Sequence, residues 1–426
     1  MARRMGFFAR LFFTYKLFIR LVVLGALGWA SYWLVGHTLT PITVGAVFPL
    51  TGPDAVLGTT ARDGVRFAVA EINAKGGVLR RQIDLVALDG TSDPNKQRAR
   101  TERVMVDRGA SVVFGCVRAY CRRTVYDEVS EHHGLFVYPY QVEGQSSATR
   151  SIELGELPNQ SLRPGAQWAV ERFGRRVFLV LPETLYGRVA DPILHNALEG
   201  LRAEVVGVAR LTSDLQSGVE AAQRIALTEP DVVLNAAFGD VNVSLYKTLD
   251  AIVPRDQRMP SLLFHASRQE MEEIGWESFA GSYVMDSYFP ESAAPVNAAF
   301  KAAYAREFGV NAQPDAQFEA AYTSVLVWAA AVRKARSTDP DDVLDALPGV
   351  KVQAPSGDVV LSHQSLHRLH VPRIAQIDAH GSVRVIWQGE APIEPQLWDP
   401  ALTRDQWEQL LSDLHREWNN QWAPPS

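Results

Sequence analysis

The sequence predicts an α/β protein of two similar lobes, preceded by one N-terminal transmembrane helix. Three observations point there. At 426 residues the chain exceeds one ordinary hydrophobic core, which suggests two domains. Beyond residue 40, short β-branched runs alternate with amphipathic stretches, the βαβ pattern of a parallel sheet covered on both faces. The pattern occurs twice and late segments return after it, so the two lobes should be joined by several crossings, with ligand in the cleft between them.

The N-terminal helix is read from charge. Arg3, Arg4, Arg10, Lys16 and Arg20 give residues 1–20 a charge of +5 with no acid, so a chain of net −6 carries −11 beyond them. The uncharged run LVVLGALGWASYWLVG, residues 21–36, follows directly. With Leu17-Phe18-Ile19, and Arg20 reaching back to the interface, it offers about 20 residues, enough to cross a bilayer. Tyr32 and Trp33 suit the far interface, and the basic flank keeps Met1 inside. The expected location is the inner membrane, single-pass, with the body in the periplasm. The alternative is a signal peptide cleaved near Gly28-Trp29-Ala30, leaving the body free in the periplasm. No Cys lies near the segment, which excludes a lipoprotein anchor.

In the body, PITVGAVFPL (41–50), QIDLVALDG (82–90), SVVFG (111–115) and LFVYP (135–139) read as strands. Helices fall between them at 59–77, 93–109 and 120–133, ended by Gly or opened by Pro. A second series has strands at 175–183, 203–211, 231–239 and 261–266, with helices between. An extended run at 281–290 and two long helices follow. Residues 373–387 read as a hairpin turned on Ala379-His380-Gly381. In the last 26 residues Trp407, Leu410, Leu411, Leu414, Trp418 and Trp422 form one helical stripe, either folded back on the body or free to dock a partner.

Chemistry is sparse. With 47% hydrophobic and 21% charged residues the body is globular, and it has no basic stripe, so nucleic acid is not expected as a partner. No phosphate-loop, zinc-protease or nucleophile-elbow motif occurs, so neither an enzyme, a metal site nor a cofactor is expected. Cys116 and Cys121 are too few for structural zinc and are either thiols or bridged. His363, His367 and His370 are spaced like ligands but lie in LSHQSLHRLHVP, read as a surface loop.

Several phrases together resemble one family. They are FPLTGPDAVLG, AVAEINAKGGVLRRQIDLVALDG, VVFGC, LFVYPYQVEG, LPNQ, EAAYTSVLVW and the stretch from APSGDVVL to PQLWDP. Over residues 41–400 the chain is similar to type I periplasmic binding proteins, and specifically to the branch that binds urea and short-chain amides for ABC import. The resemblance implies two Rossmann-like lobes joined by three crossover strands. Lobe 1 would hold residues 41–157 plus 287–350, and lobe 2 residues 158–284 plus 352–400. Residues 1–37 would be the basic segment and anchor, and 401–426 the C-terminal helix. The crossings should follow Leu157-Pro158-Asn159 and lie near Tyr283–Ser287 and Val350–Ala354.

It also implies a pocket, from which this sequence departs. Ala119, flanked by Arg118 and Tyr120, stands where the family carries a small hydroxyl beside helix N–H groups that take a ligand carbonyl. Tyr138 is kept. Tyr140 replaces a small residue or Gln, and Val142 a Tyr. Thr184 replaces an aromatic that stacks on ligand, while Tyr186 and Arg188 remain. Gly239, Asp240 and Asn242 are kept, and Asp286 falls where an apolar residue is usual. The implied ligand-binding set is Arg118, Ala119, Tyr120, Tyr138, Tyr140, Thr184, Tyr186, Asp240 and Asp286. Arg118 and Asp286 would either hold a zwitterion or pair with each other. The expected function is capture of a small polar solute, urea- or amide-like or amino-acid-like, for an ABC permease. The alternative is a tethered sensor that signals to a membrane partner.

Overall fold

The computed structural model describes residues 19–31, 40–239 and 241–425. Residues 19–31 form a helix, α1, with exposed side chains. The rest of the expected anchor lies outside the described residues. Among the described residues no helix is long and apolar enough to cross a membrane.

The first lobe is a parallel sheet in the order β2-β1-β3-β4-β5. Its strands are β1 (Ile42–Phe48), β2 (Ile83–Asp89), β3 (Val112–Gly115), β4 (Leu135–Tyr138) and β5 (Ser151–Glu153). Strands β3, β4 and β5 are buried throughout, as sheets covered on both faces require. The covering helices include α2 (Ala55–Ala74), α3 (Pro94–Val106) and α4 (Ala119–Glu131), with α11 (Asn297–Phe308) and α12 (Ala316–Ala335) returning late in the chain. Helices α2 and α12 meet so closely at Gly64 that a Cβ there would lie 2.6 Å from the Phe318 carbonyl oxygen.

The second lobe is a mixed sheet in the order β14-β13-β10-β9-β8-β6-β7. Strands β6 (Arg176–Pro182), β7 (Glu204–Leu211), β8 (Val232–Asn235), β9 (Ser261–Leu263) and β10 (Tyr283–Met285) are parallel. The expected hairpin forms as β13 (Arg373–Ile377) and β14 (Val383–Gln388), antiparallel to each other, with β13 antiparallel to β10. Its turn carries Gly381 at φ +80°. Helices α5 (Leu162–Phe173), α6 (Leu185–Gly200), α7 (Leu215–Thr228) and α8 (Val241–Ile252) cover the faces. Strand β5 and helix α5 have no counterpart in the sequence reading. Three residues of SIE are too few for a periodicity, and Pro164 breaks the helical pattern at its start.

The cores mark where the chain changes lobes. Leu157 packs in the first core and Leu162 in the second, and the chain returns between Met285 and Tyr288. The last passage differs from expectation. Near Val350–Ala354 the chain instead makes a hairpin, β11 (Lys351–Ala354) with β12 (Gly357–Val360), turned at Gly357 with φ +116°. Leu361 still packs in the first core, and bridges from Glu153 to His367 and from Leu361 to Arg368 hold the chain there before β13 begins. The histidines are corrected with it. Only His363 is exposed. His367 is buried 2.9 Å from Glu153 and His370 is buried on the Leu154 carbonyl, so both serve the crossing.

The C-terminal stripe is spent on the body. Helix α14 (Arg404–Glu417) starts with a Thr403/Gln406 capping box and buries Trp407, Leu411, Leu414 and Trp418 in the second core.

Candidate functional site

The carboxyl ends of β3 and β4 and the start of α6 converge on one cavity of about 30 Å³ between the lobes. In an open α/β sheet this end of the strands is where ligands bind. Ala119, at the start of α4, packs in the second core, and Phe238 of the second lobe packs against the first, so the lobes touch at this mouth.

The α4 entrance is pinned covalently. Cys116 and Cys121 are bridged, not free thiols, with Cα atoms 5.6 Å apart, and Cys116 takes a left-handed φ of +64°. Arg118 sits at the N-cap in extended conformation and its side chain makes no cap bond. Helix geometry leaves the Ala119, Tyr120 and Cys121 N–H groups without intrahelical acceptors.

Arg118 turns instead to Asp54. Its Nε donates to one carboxylate oxygen at 2.8 Å, and the Tyr120 hydroxyl donates to the other at 2.7 Å. Burial pushes the Asp54 carboxyl up, but the Arg118 charge and the Tyr120 hydrogen bond outweigh it and hold it below its usual range. The Arg118 guanidinium lies 4.3 Å over the Phe238 ring. Its charge is therefore already compensated.

The remaining walls are aromatic. The Tyr138 and Tyr140 rings stand 6.4 Å apart, and the Tyr140 hydroxyl donates to the Leu57 carbonyl at 3.1 Å. Thr184 caps α6 through the Gly187 N–H, a structural job for the residue that replaced an aromatic. Tyr138 and Tyr186 are 1% and 8% exposed, and neither hydroxyl has a hydrogen-bond partner among the described residues. Burial pushes both phenols well above their usual pKa, so they stay neutral.

Residues 42–404 match the periplasmic binding protein domain family. The chain belongs to that family. It groups the chain with solute-binding receptors and not with enzymes. The Leu/Ile/Val-binding protein BraC3 of Rhizobium johnstonii is 29% identical over 178 residues, 41% of this chain and 48% of that protein. A Leu/Ile/Val-binding protein homolog of Brucella abortus is 36% identical over 104 residues, 24% of this chain and 28% of that protein. The aligned part thus spans about half or less of these relatives' length. In fold the chain is similar to an amino acid ABC transporter substrate-binding protein from Pseudomonas fluorescens Pf-5 (TM-score 0.74, 17% identity, 84% of this chain and 97% of that one). It is also similar to an ABC transporter solute-binding protein of Rhodopseudomonas palustris HaA2 in complex with p-hydroxybenzoic acid (TM-score 0.73, 19% identity, 86% and 100%).

Seven of the residues singled out in sequence line the one cavity: Arg118, Ala119, Tyr120, Tyr138, Tyr140, Thr184 and Tyr186. Asp240 lies outside the described residues. Asp286 lines a neighbouring cavity, with His265 between the two. The expected meeting of Arg118 and Asp286 does not occur. Arg118 is held by Asp54, while Asp286 stands 3.2 Å from His265. Both partners come from segments distant in sequence, which spacing does not reveal. Asn242 belongs to a buried network with Asn235, Tyr246 and Glu270, away from the mouth.

Gln141, Phe238 and His265 line the site and were not singled out. Gln141 donates across the lobes to the Phe264 carbonyl at 2.7 Å. Phe238 and His265 follow β8 and β9 directly, so the rule that ligands sit beyond carboxyl strand ends was the signal available. Glu143 of the YPYQVEG stretch is structural. It and Glu153 flank Arg122 at 2.5 and 2.7 Å in a buried ion-pair cluster beneath Tyr138.

Proposed function

We propose that the chain is an extracytoplasmic receptor that closes its lobes on a small neutral solute of the urea or short-chain amide class and presents it to an ABC-type permease. The observation that carries this reading is that Tyr138 and Tyr186, one from each lobe, line one cavity, and that neither hydroxyl has a hydrogen-bond partner among the described residues. A ligand that bonds both hydroxyls touches both lobes and so favours their closed arrangement. An amide offers a carbonyl oxygen to the Ala119 and Tyr120 N–H groups and N–H donors to the phenol oxygens.

Size and charge support the same class. A cavity of about 30 Å³ is small beside the roughly 150 Å³ that holds a benzene ring, so leucine or hydroxybenzoate does not fit without rearrangement. Among the described residues, Arg118 is compensated by Asp54 and Asp286 faces His265, so neither offers a free charge to a zwitterion.

The test is a thermal-shift titration of the protein with urea, acetamide, propionamide, leucine and 4-hydroxybenzoate. A ligand that binds only the folded state raises the melting temperature once its concentration exceeds Kd. A rise with the amides supports the reading. A rise with leucine or hydroxybenzoate alone defeats it.

A further inference from the structure

We infer that Arg118 and Phe238 form a size gate that sets which solutes the cleft admits, an inference that rests on the neutral-amide reading above. Beside the small cavity lies a second one of about 230 Å³, between the segment around Asp54 and Leu57 of the first lobe and second-lobe residues that include Asp214, Phe238, Val241 and Glu270. Arg118 and Phe238 line both cavities. They are the partition between them.

The partition is built from both lobes. Arg118, from the first lobe, is held in place by the 2.8 Å bond to Asp54, which Tyr120 braces from its other oxygen. Phe238, from the second, lies under the guanidinium at 4.3 Å and presents its ring edge-on to His265 at 5.1 Å. A guanidinium on an aromatic face is held there by a modest electrostatic attraction. That is enough to bias the closed arrangement and little enough for a ligand to overcome. With the stack in place, only a solute of a few heavy atoms fits behind it. With the ring removed, the two volumes become one, larger than the roughly 150 Å³ that accepts a benzene ring. Arg118 thus acts here as a wall and not as an anion-binding group, because its charge is spent on Asp54.

The experiment is calorimetric titration of wild type, Phe238→Ala and Arg118→Lys with acetamide and with benzamide. The lysine keeps a charge for Asp54 but loses the planar stack. The gate predicts that benzamide affinity rises at least tenfold in Phe238→Ala and by a smaller factor in Arg118→Lys. If Phe238→Ala does not fold by circular dichroism, Phe238→Val replaces it with the same readout. Absence of any benzamide gain in the folded variants overturns the gate, whatever acetamide does. Failure of acetamide to bind wild type while a variant gains benzamide upholds the gate and overturns only the neutral-amide reading.

Discussion

Tyr138 and Tyr186 reach the same cavity from opposite lobes, and neither hydroxyl finds a hydrogen-bond partner among the described residues. Replacing either by Phe should therefore separate binding from stability. Acetamide affinity is expected to fall about tenfold per substitution, the loss of one good hydrogen bond. The melting temperature of the ligand-free protein should stay level, because no hydrogen bond to a described residue is lost. A fall in melting temperature with unchanged affinity would assign the hydroxyls to the scaffold instead.

The Cys116–Cys121 bridge ties the end of β3 to the first turn of α4, where the N–H groups without intrahelical acceptors begin. So short a loop removes little entropy from the unfolded chain, about 2 kcal/mol in the chain-entropy treatment. The Cys116→Ser/Cys121→Ser variant should lose about that much stability in guanidinium titration. It should also weaken acetamide binding, since the mouth is no longer held. Unchanged affinity would show that packing alone positions Ala119 and Tyr120.

Glu153 provides a pH test. Burial pushes its carboxyl up, but Arg122 and His367 outweigh this and depress it from an ordinary 4.5 to about 2. The folded state thus takes up the proton later than the unfolded state. The cluster's stabilisation is complete above about pH 4.5 and is lost as pH falls towards 2, with an amplitude on the order of 3 kcal/mol. Glu153→Gln should flatten that acid limb. At neutral pH it should also cost about 3–5 kcal/mol, because Arg122 is left buried without one partner. The guanidinium midpoint against pH for both proteins decides this, and parallel profiles would contradict it.

The C-terminal segment touches both helices that open on the cavity. Glu417 lies 3.4 Å from Arg188 on α6, and the Trp422 ring stacks 4.8 Å from the Arg123 guanidinium on α4. Trp407 is fully buried and donates to the Asp399 carbonyl at 2.7 Å. Trp407→Ala should cost about 3–5 kcal/mol of stability. Trp422→Ala should cost about 1 kcal/mol or less, yet weaken acetamide binding a few-fold, if the tail helps hold the lobes together. An unchanged Kd would make the tail a passive cover.

Much of this protein was legible in its sequence because it follows from local rules. Strand and helix periods marked both βαβ series, Ala379-His380-Gly381 marked the hairpin, and Trp407, Leu410, Leu411 and Leu414 marked a helix with one apolar face, though it ends at Glu417, before the Trp418 and Trp422 that the expected stripe included. Residues 118–120 and 184–186 line the cavity; the first stretch stands out as a strand giving way to a helix, the second only through the family resemblance. Other features depend on partners far away in the chain. The last crossing lies after Leu361 because Glu153 pairs with His367, 214 residues on. Arg118 faces Asp54 and not Asp286 because β1 and β3 are neighbouring strands, which brings the segments after their carboxyl ends together although they are 64 residues apart in sequence. Periodicity encodes which face of an element is buried; it carries no information on which distant charge will neutralise it, and that choice is made only when the sheet sets the ends of neighbouring strands side by side.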